Sequence, residues 1–197
     1  MQQQPHIILG IDPGTLVMGY GLIAVDKNNI SLVEMGVLQL ARHQEHAERL
    51  ELIFRKMETL IREHRPAAIA IEAPFFGKNV QSMLKLGRAQ GVAIAAAMMH
   101  GLSAVEYAPR KIKQSVSGRG NATKEQVWQM LQHTLKFEED VRYMDATDAV
   151  AVALCHHYQC RLPQLANGDV VKKKTAAGKK TNWAQFAALH PERIRTR

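Results

Sequence analysis

Four carboxylates occupy positions where chemistry is the strongest explanation for them together. The apolar run His6-Ile7-Ile8-Leu9-Gly10-Ile11 ends on Asp12, and Ala67-Ala68-Ile69-Ala70-Ile71 ends on Glu72. Asp145 and Asp148 open a late apolar segment at i and i+3, a spacing that puts both on one helix face. Singly, most have an ordinary reading. Asp12 can form the turn before Pro13-Gly14, and Asp145 can cap a helix whose dipole Asp148 also favours. Glu72 resists such a reading because it continues a buried run. Gathered in one place, two such charges about 4 Å apart repel by about 4 kcal/mol at an effective dielectric of about 20. A four-carboxylate cluster therefore calls for cations. Donors that are all oxygen select hard ions, Mg²⁺ or Mn²⁺, over zinc. Two such ions about 4 Å apart activate a water and stabilise the leaving oxygen of a phosphodiester.

The elements that must position these acids can be read from the pattern. Short runs rich in branched residues and bounded by Gly or Pro are buried strands. The first ends at Asp12, the second covers Gly19 to Val25, and the third covers Ile30 to Leu40 with an interruption near Gly36. The polar Asp26-Lys27-Asn28-Asn29 makes the hairpin between the last two. Leu50, Ile53, Met57 and Ile61 recur at helical spacing in Glu45–His64, and Pro66 forbids continuation. A fourth strand ends at Glu72. A helix follows from Asn79 to His100, with Gly87 and Gly91 four apart, which weaken it and are tolerable if that face packs closely on the sheet. Ser103–Ala108 is a fifth strand, a capping box at Thr123-Lys124-Glu125-Gln126 starts another helix, and the last helix runs from Asp145 to about Cys160. The order gives an α/β protein with a five-stranded mixed sheet, three antiparallel strands followed by parallel crossovers, flanked by helices. If the first and fourth strands are parallel neighbours, Asp12 and Glu72 emerge at one sheet edge, where α/β proteins build their sites.

The 197 residues carry a net charge of +8, unevenly spread. Residues 166–197 hold eight Lys or Arg against Asp169 and Glu192, and read as a basic, mobile tail beyond a domain spanning 1–165. Within that domain, Lys78 to Lys124 carries Lys78, Lys85, Arg88, Arg110, Lys111, Lys113, Arg119 and Lys124 against the single acid Glu106. A basic segment beside a carboxylate cluster suits a polyanion held near metal ions, although a solvated surface with uneven charge has the same composition. No apolar run is long enough to span a membrane, and the N-terminus lacks a secretory pattern. Cys155 and Cys160 are poorly placed to pair in one helix, consistent with a reducing cytoplasm. The Cys155-His156-His157-Cys160 run spreads its side chains around a helix and is a poor zinc site.

Gly10-Ile11-Asp12-Pro13-Gly14, Ala70-Ile71-Glu72, Asn79 with Leu84-Lys85-Leu86-Gly87, Gln90-Gly91-Val92-Ala93-Ile94 and Asp145-Ala146-Thr147-Asp148-Ala149 together resemble the RuvC family of Holliday-junction endonucleases. The resemblance covers residues 6 to 160 in order. It implies an RNase H-like fold, a homodimer, and Mg²⁺-dependent cutting of two opposed strands of a four-way DNA junction, with a branch-migration motor as partner. By motif position Asp12, Glu72, Asp145 and Asp148 are the family's catalytic, metal-binding acids. Phe75 matches an aromatic placed against bases near the junction centre. Lys113 and Lys124 match lysines near the scissile phosphate and backbone, and Lys78 joins them as an expected DNA contact. From the residues alone, Phe75 and Phe76 either stack on unpaired bases, worth about 1–3 kcal/mol per base, or anchor their loop in the core. Nothing in the family pattern extends to the tail.

Two other readings compete. An actin-like or sugar-kinase-like ATPase also places an acidic, Gly- and Thr-containing turn after its first strand, here Asp12-Pro13-Gly14-Thr15, but needs a second subdomain for which there is no spare length. A catalytically silent junction-binding protein would not retain all four acids.

Overall fold

The structure is a computed structural model and describes residues 5–27, 29–42, 45–74, 79–137 and 144–167. Its elements are β1 (His6–Asp12), β2 (Val17–Asp26), β3 (Asn29–Gln39), α1 (His46–His64), β4 (Ala68–Glu72), α2 (Val80–Met99), β5 (Ala104–Tyr107), α3 (Pro109–Ser117), α4 (Lys124–Leu135) and α5 (Met144–Asn167). The strands form one five-stranded sheet in the order β3-β2-β1-β4-β5. β1–β2 and β2–β3 are antiparallel, whereas β1–β4 and β4–β5 are parallel. The mixed sheet is the one the sequence predicts.

Strand periodicity divides the core in two. Leu9, Ile11, Ile69 and Ile71 point to the face covered by α1 and α2, where they meet Ile53, Met57, Leu60 and Ala93. All four strand residues are fully buried, each contributing about 1.5–3 kcal/mol. Ile8 and Ala70 point the other way, toward α3, α4 and α5. Asp12 and Glu72 share the parity of Ile8 and Ala70, so both carboxylates belong to the α5 side.

Several local expectations shift. β3 is continuous through Gly36, which pairs with Tyr20, and the irregularity lies instead at Val33. There the register passes from Leu22 opposite Glu34 to Ile23 opposite Leu32, so Val33 is the extra residue and is pushed out to solvent. The face of α2 bearing Gly87 and Gly91 does not pack on the sheet. Both glycines are exposed, and a side chain at either would meet open space. The sheet and α1 are covered by Ala89, Ala93, Ala96 and Ala97 on the opposite side of that helix. The basic stretch after Pro109 is a helix, α3, seated on the core through Ile112 and Val116. α5 begins at Met144, so Asp145 lies within its first turn. It runs past Cys160 to Asn167, because Pro163 removes only one backbone hydrogen bond near its end.

The chain groups into one compact unit up to Leu162 and a second from Pro163. Of the second, only 163–167 lie among the described residues, and the expected boundary at 165 falls inside α5. The tail from 168 lies outside the described residues. No helix among the described residues is long and apolar enough to cross a membrane. Cys155 is buried, Cys160 is exposed, and both are free thiols.

Candidate active site

The parallel pairing of β1 with β4 does what the sequence could not prove. Ile11 sits beside Ile71, and the chain steps from these partners directly to Asp12 and Glu72 at the carboxyl edge of the sheet. α5 lies over the same edge. Its first two turns carry Asp145 and Asp148 inward, flanked by buried Ala146, Thr147 and Ala149. The Thr147 hydroxyl is satisfied locally, donating to the Met144 carbonyl at 2.7 Å.

Asp12, Asp145 and Asp148 each offer an oxygen, and these three oxygens lie within 4.8 Å of one another. Glu72 is outside this tight trio but lines the same cavity of about 350 Å³ as Asp12, Asp148, Lys113 and Lys124, with Ile112, Val127 and Ala151 as its apolar wall. All four acids are half-buried. Burial, followed by the charges of Glu72, Asp148 and Asp145, pushes the Asp12 carboxyl up to about 8, against a smaller pull from Lys124. Burial and then Asp148 push Glu72 up to about 7, opposed by Lys124 and Lys113. These acids have been brought together at an electrostatic cost that a bound cation or protons must offset.

Lys124 reaches the cluster from the first position of α4. The capping box expected there is present, with Thr123 Oγ1 accepting from the Gln126 N–H and Gln126 Oε1 accepting from the Thr123 N–H. This fixes the start of the helix, and the Lys124 ammonium donates to Asp148 Oδ2 at 2.7 Å. That hydrogen bond raises the Lys124 pKa. Lys113 enters the cavity from α3, whose end is shaped by Gly118 at φ 76° and by Ser117 Oγ donating to the Lys113 carbonyl.

The structure thus collects Asp12, Glu72, Asp148, Lys113 and Lys124 around one cavity, with Asp145 joined to it through the oxygen trio it forms with Asp12 and Asp148. Phe75 and Lys78 lie outside the described residues, as does Phe76. The Cys155–Cys160 run makes no metal cage among the described residues. Cys155 faces Ser115, and His156 holds the Tyr107 hydroxyl through Nδ1 at 2.9 Å. Sequence reasoning missed Gly10, Gly19 and Gly21 as parts of the site's floor; Gly19 and Gly21, two apart in a strand, were the available signal.

The structure brings carboxylates to the sheet edge and lysines to the rim of the same cavity. The model for "Crossover junction endodeoxyribonuclease RuvC" matches residues 8–156. The chain belongs to the RuvC family. A relative of that name from Cytophaga hutchinsonii is 52% identical over 191 residues, covering 97% of this chain and 89% of the relative. Another from Porphyromonas gingivalis is 47% identical over 197 residues, covering 99% of this chain and 100% of the relative. The solved structure of Thermus thermophilus RuvC superposes with a TM-score of 0.73 at 31% identity, covering 80% of this chain and 96% of that one. RuvC of the same organism has also been solved in complex with a Holliday junction substrate, and superposes with a TM-score of 0.72 at 29% identity. The fold is the RNase H-like fold of these resolvases, and membership in the RuvC family sets aside the ATPase reading.

Proposed function

We propose that this chain is a structure-selective endonuclease that resolves four-way DNA junctions by Mg²⁺-dependent hydrolysis of phosphodiesters in two opposed strands. The observation that carries the reading is the convergence of Asp12, Asp145 and Asp148 within 4.8 Å, with Glu72 lining the same cavity as Asp12 and Asp148, in a chain of the RuvC family. The donor set fits a hard divalent ion. It contains only carboxylate oxygens, and Asp12 and Glu72 are pushed up first by burial and then by the neighbouring acids, so a cation there would offset both. Asp12, Glu72, Asp145 and Asp148 are the residues that hold Mg²⁺, two ions per site, with Mn²⁺ as a substitute. When bound, the metal supplies a water of lowered pKa and neutralises charge on the phosphate.

The chain's own residues do the rest. The carboxylates fix ligand positions from two rigid elements, the sheet edge and α5. Lys124, held in its charged form, and Lys113 contact the scissile phosphate and its neighbour, where they offset negative charge as it develops. The apolar wall of Ile112, Val127 and Ala151 limits water on one side of the cavity. Phe75 stacks on bases near the junction centre by family position, and Lys78 is a further DNA contact.

Paired cuts need two sites, and α2 offers a surface for a second copy. Val80, Leu84, Gly87, Gly91, Ala95 and Met98 follow helical spacing along one exposed face. Val80, Leu84 and Met98 are 67%, 59% and 66% exposed. Large apolar side chains around exposed glycines suit close helix-to-helix contact, and we assign this face to a homodimer. On the family resemblance a branch-migration motor is a further partner. We assign the protein to the cytoplasm, a reading supported by the proposed DNA substrate and the unpaired Cys155 and Cys160.

The direct test incubates the protein with a synthetic four-way junction and Mg²⁺, with linear duplex and ATP as parallel controls. Symmetric cleavage of the junction, sparing duplex and without ATP hydrolysis, is expected. Junction binding without cleavage would favour the silent binding protein.

A further inference from the structure

The floor beneath the carboxylates is made of glycine. Across the β1–β2 ladder Asp12 pairs with Gly19, and Gly10 pairs with Gly21. Strand parity sends these four residues to the face that α5 covers. Glycine weakens a strand interior, so three in one patch call for a reason. That reason is space. Among the described residues the glycines at positive φ are Gly101 and Gly118, so none of these three is there for backbone conformation. A Cβ at Gly19 would overlap the Asp145 carbonyl oxygen and stand 2.5 Å from its carbonyl carbon. One at Gly10 would overlap the Ala149 carbonyl oxygen and stand 2.7 Å from the Ala153 nitrogen. One at Gly21 would stand 2.8 Å from the Val150 nitrogen. The backbone of α5 therefore lies directly against the ladder, in room that side chains would otherwise fill.

This close approach bears on the site because its ligands hang from opposite layers. Asp12 belongs to the sheet, whereas Asp145 and Asp148 belong to the helix. Aspartate side chains are short, so the sheet-to-helix distance sets whether their oxygens meet. We propose that Gly19 is a positioning residue for the metal site: it lets the first turn of α5 settle at Asp145 so that this carboxylate and that of Asp12 share one cation. Gly21 supports the same helix farther along, at Val150, and acts in packing. The inference rests on the carboxylates being metal ligands, as proposed above.

The test compares the full-length parent with Gly19→Ala, Gly21→Ala and the double variant Gly19→Ala/Asp145→Glu. Mn²⁺ binding is measured by calorimetry without DNA, alongside metal-free thermal midpoints. Both single variants should lose thermal stability. Only Gly19→Ala should also bind Mn²⁺ more weakly, by about 10–100-fold, as for residues that orient metal ligands. Gly21→Ala should stay close to the parent in affinity, and the double variant should recover part of the loss because its longer carboxylate spans the widened gap. Parent-like affinity in Gly19→Ala would overturn the assignment. So would affinity losses that track the thermal midpoints of both single variants, or a Gly19→Ala chain that does not fold, since either makes Gly19 a packing residue. Failure of the parent to bind Mn²⁺ is a separate result, which removes the carboxylate reading itself and the inference with it.

Discussion

The Lys124 ammonium donates to Asp148 Oδ2 at 2.7 Å, so a cation from α4 sits on a carboxylate of the proposed metal site. The two roles assigned to this lysine pull in opposite directions. Its charge competes with a metal ion for Asp148, yet it favours a phosphate brought to the same cavity. Lys124→Ala should therefore tighten Mn²⁺ binding without DNA by about 2–5-fold, the size of a partly exposed ion pair. It should also slow junction cleavage by about 100-fold, as for loss of one preorganised donor. Calorimetry and a single-turnover cleavage assay read the two effects. A change of the same sign in both would remove Lys124 from one of its roles. Lys113 has no carboxylate partner among the described hydrogen bonds. Lys113→Ala should simply lower the salt dependence of junction binding by about one unit of slope.

The elevated carboxyls give the metal-free protein a distinctive response to pH. Burial and the neighbouring acids push Asp12 up from an ordinary 3.8 to about 8, and Glu72 from 4.5 to about 7. The folded chain therefore keeps protons that the unfolded chain has released, and these two groups make stability fall as pH rises from about 4 to about 8. His156 and His157, held below 6.5 chiefly by burial, act in the opposite sense on the acid side. The informative quantity is thus the difference between the parent and Asp12→Asn. In EDTA the variant should gain thermal stability over the parent as pH increases from about 5 to about 8.5, and saturating Mg²⁺ should abolish that gain. A constant difference across the range would mean that Asp12 is not held in this charge cluster.

The dimer assigned to α2 predicts a change in assembly with little change in fold. Leu84 is 59% exposed on the outer face of the helix, so Leu84→Glu should alter the stability of a single chain by no more than about 0.5 kcal/mol. If that face joins two copies, the variant should run as a monomer in light scattering and nick junctions in one strand, with the opposed cut uncoupled from it. A dimer that survives Leu84→Glu places the interface elsewhere.

What could be read from the sequence, and what could not, follows from the range of the forces involved. The strand ends were legible because Asp12 and Glu72 close apolar runs, and strand alternation is a local property. The capping box at Thr123 was legible for the same reason. The adjacency of β1 and β4 was not, because nothing in either run names its partner across the helix between them. The family motifs supplied that step. Gly87 and Gly91 mark a face of α2, but helical periodicity does not say whether a neighbour covers it; the alanines on the other side took the sheet. α3 was hidden because its seam is only Ile112 and Val116, among the three cationic residues Arg110, Lys111 and Lys113. The meaning of Gly19 depends on a helix that arrives more than a hundred residues later.

The central claim is that Asp12, Glu72, Asp145 and Asp148 hold the metal that cuts the junction, and Asp145→Asn tests it most directly. The substitution removes a charge but almost no volume, and it leaves the basic surface intact. Junction binding in Ca²⁺ and junction cleavage in Mg²⁺ are measured on the same preparation. The account predicts cleavage reduced by at least about 1,000-fold, a loss of several kcal/mol of transition-state stabilisation, with binding equal to or tighter than that of the parent. Cleavage at the parental rate, or cleavage and binding lost in parallel, would contradict it.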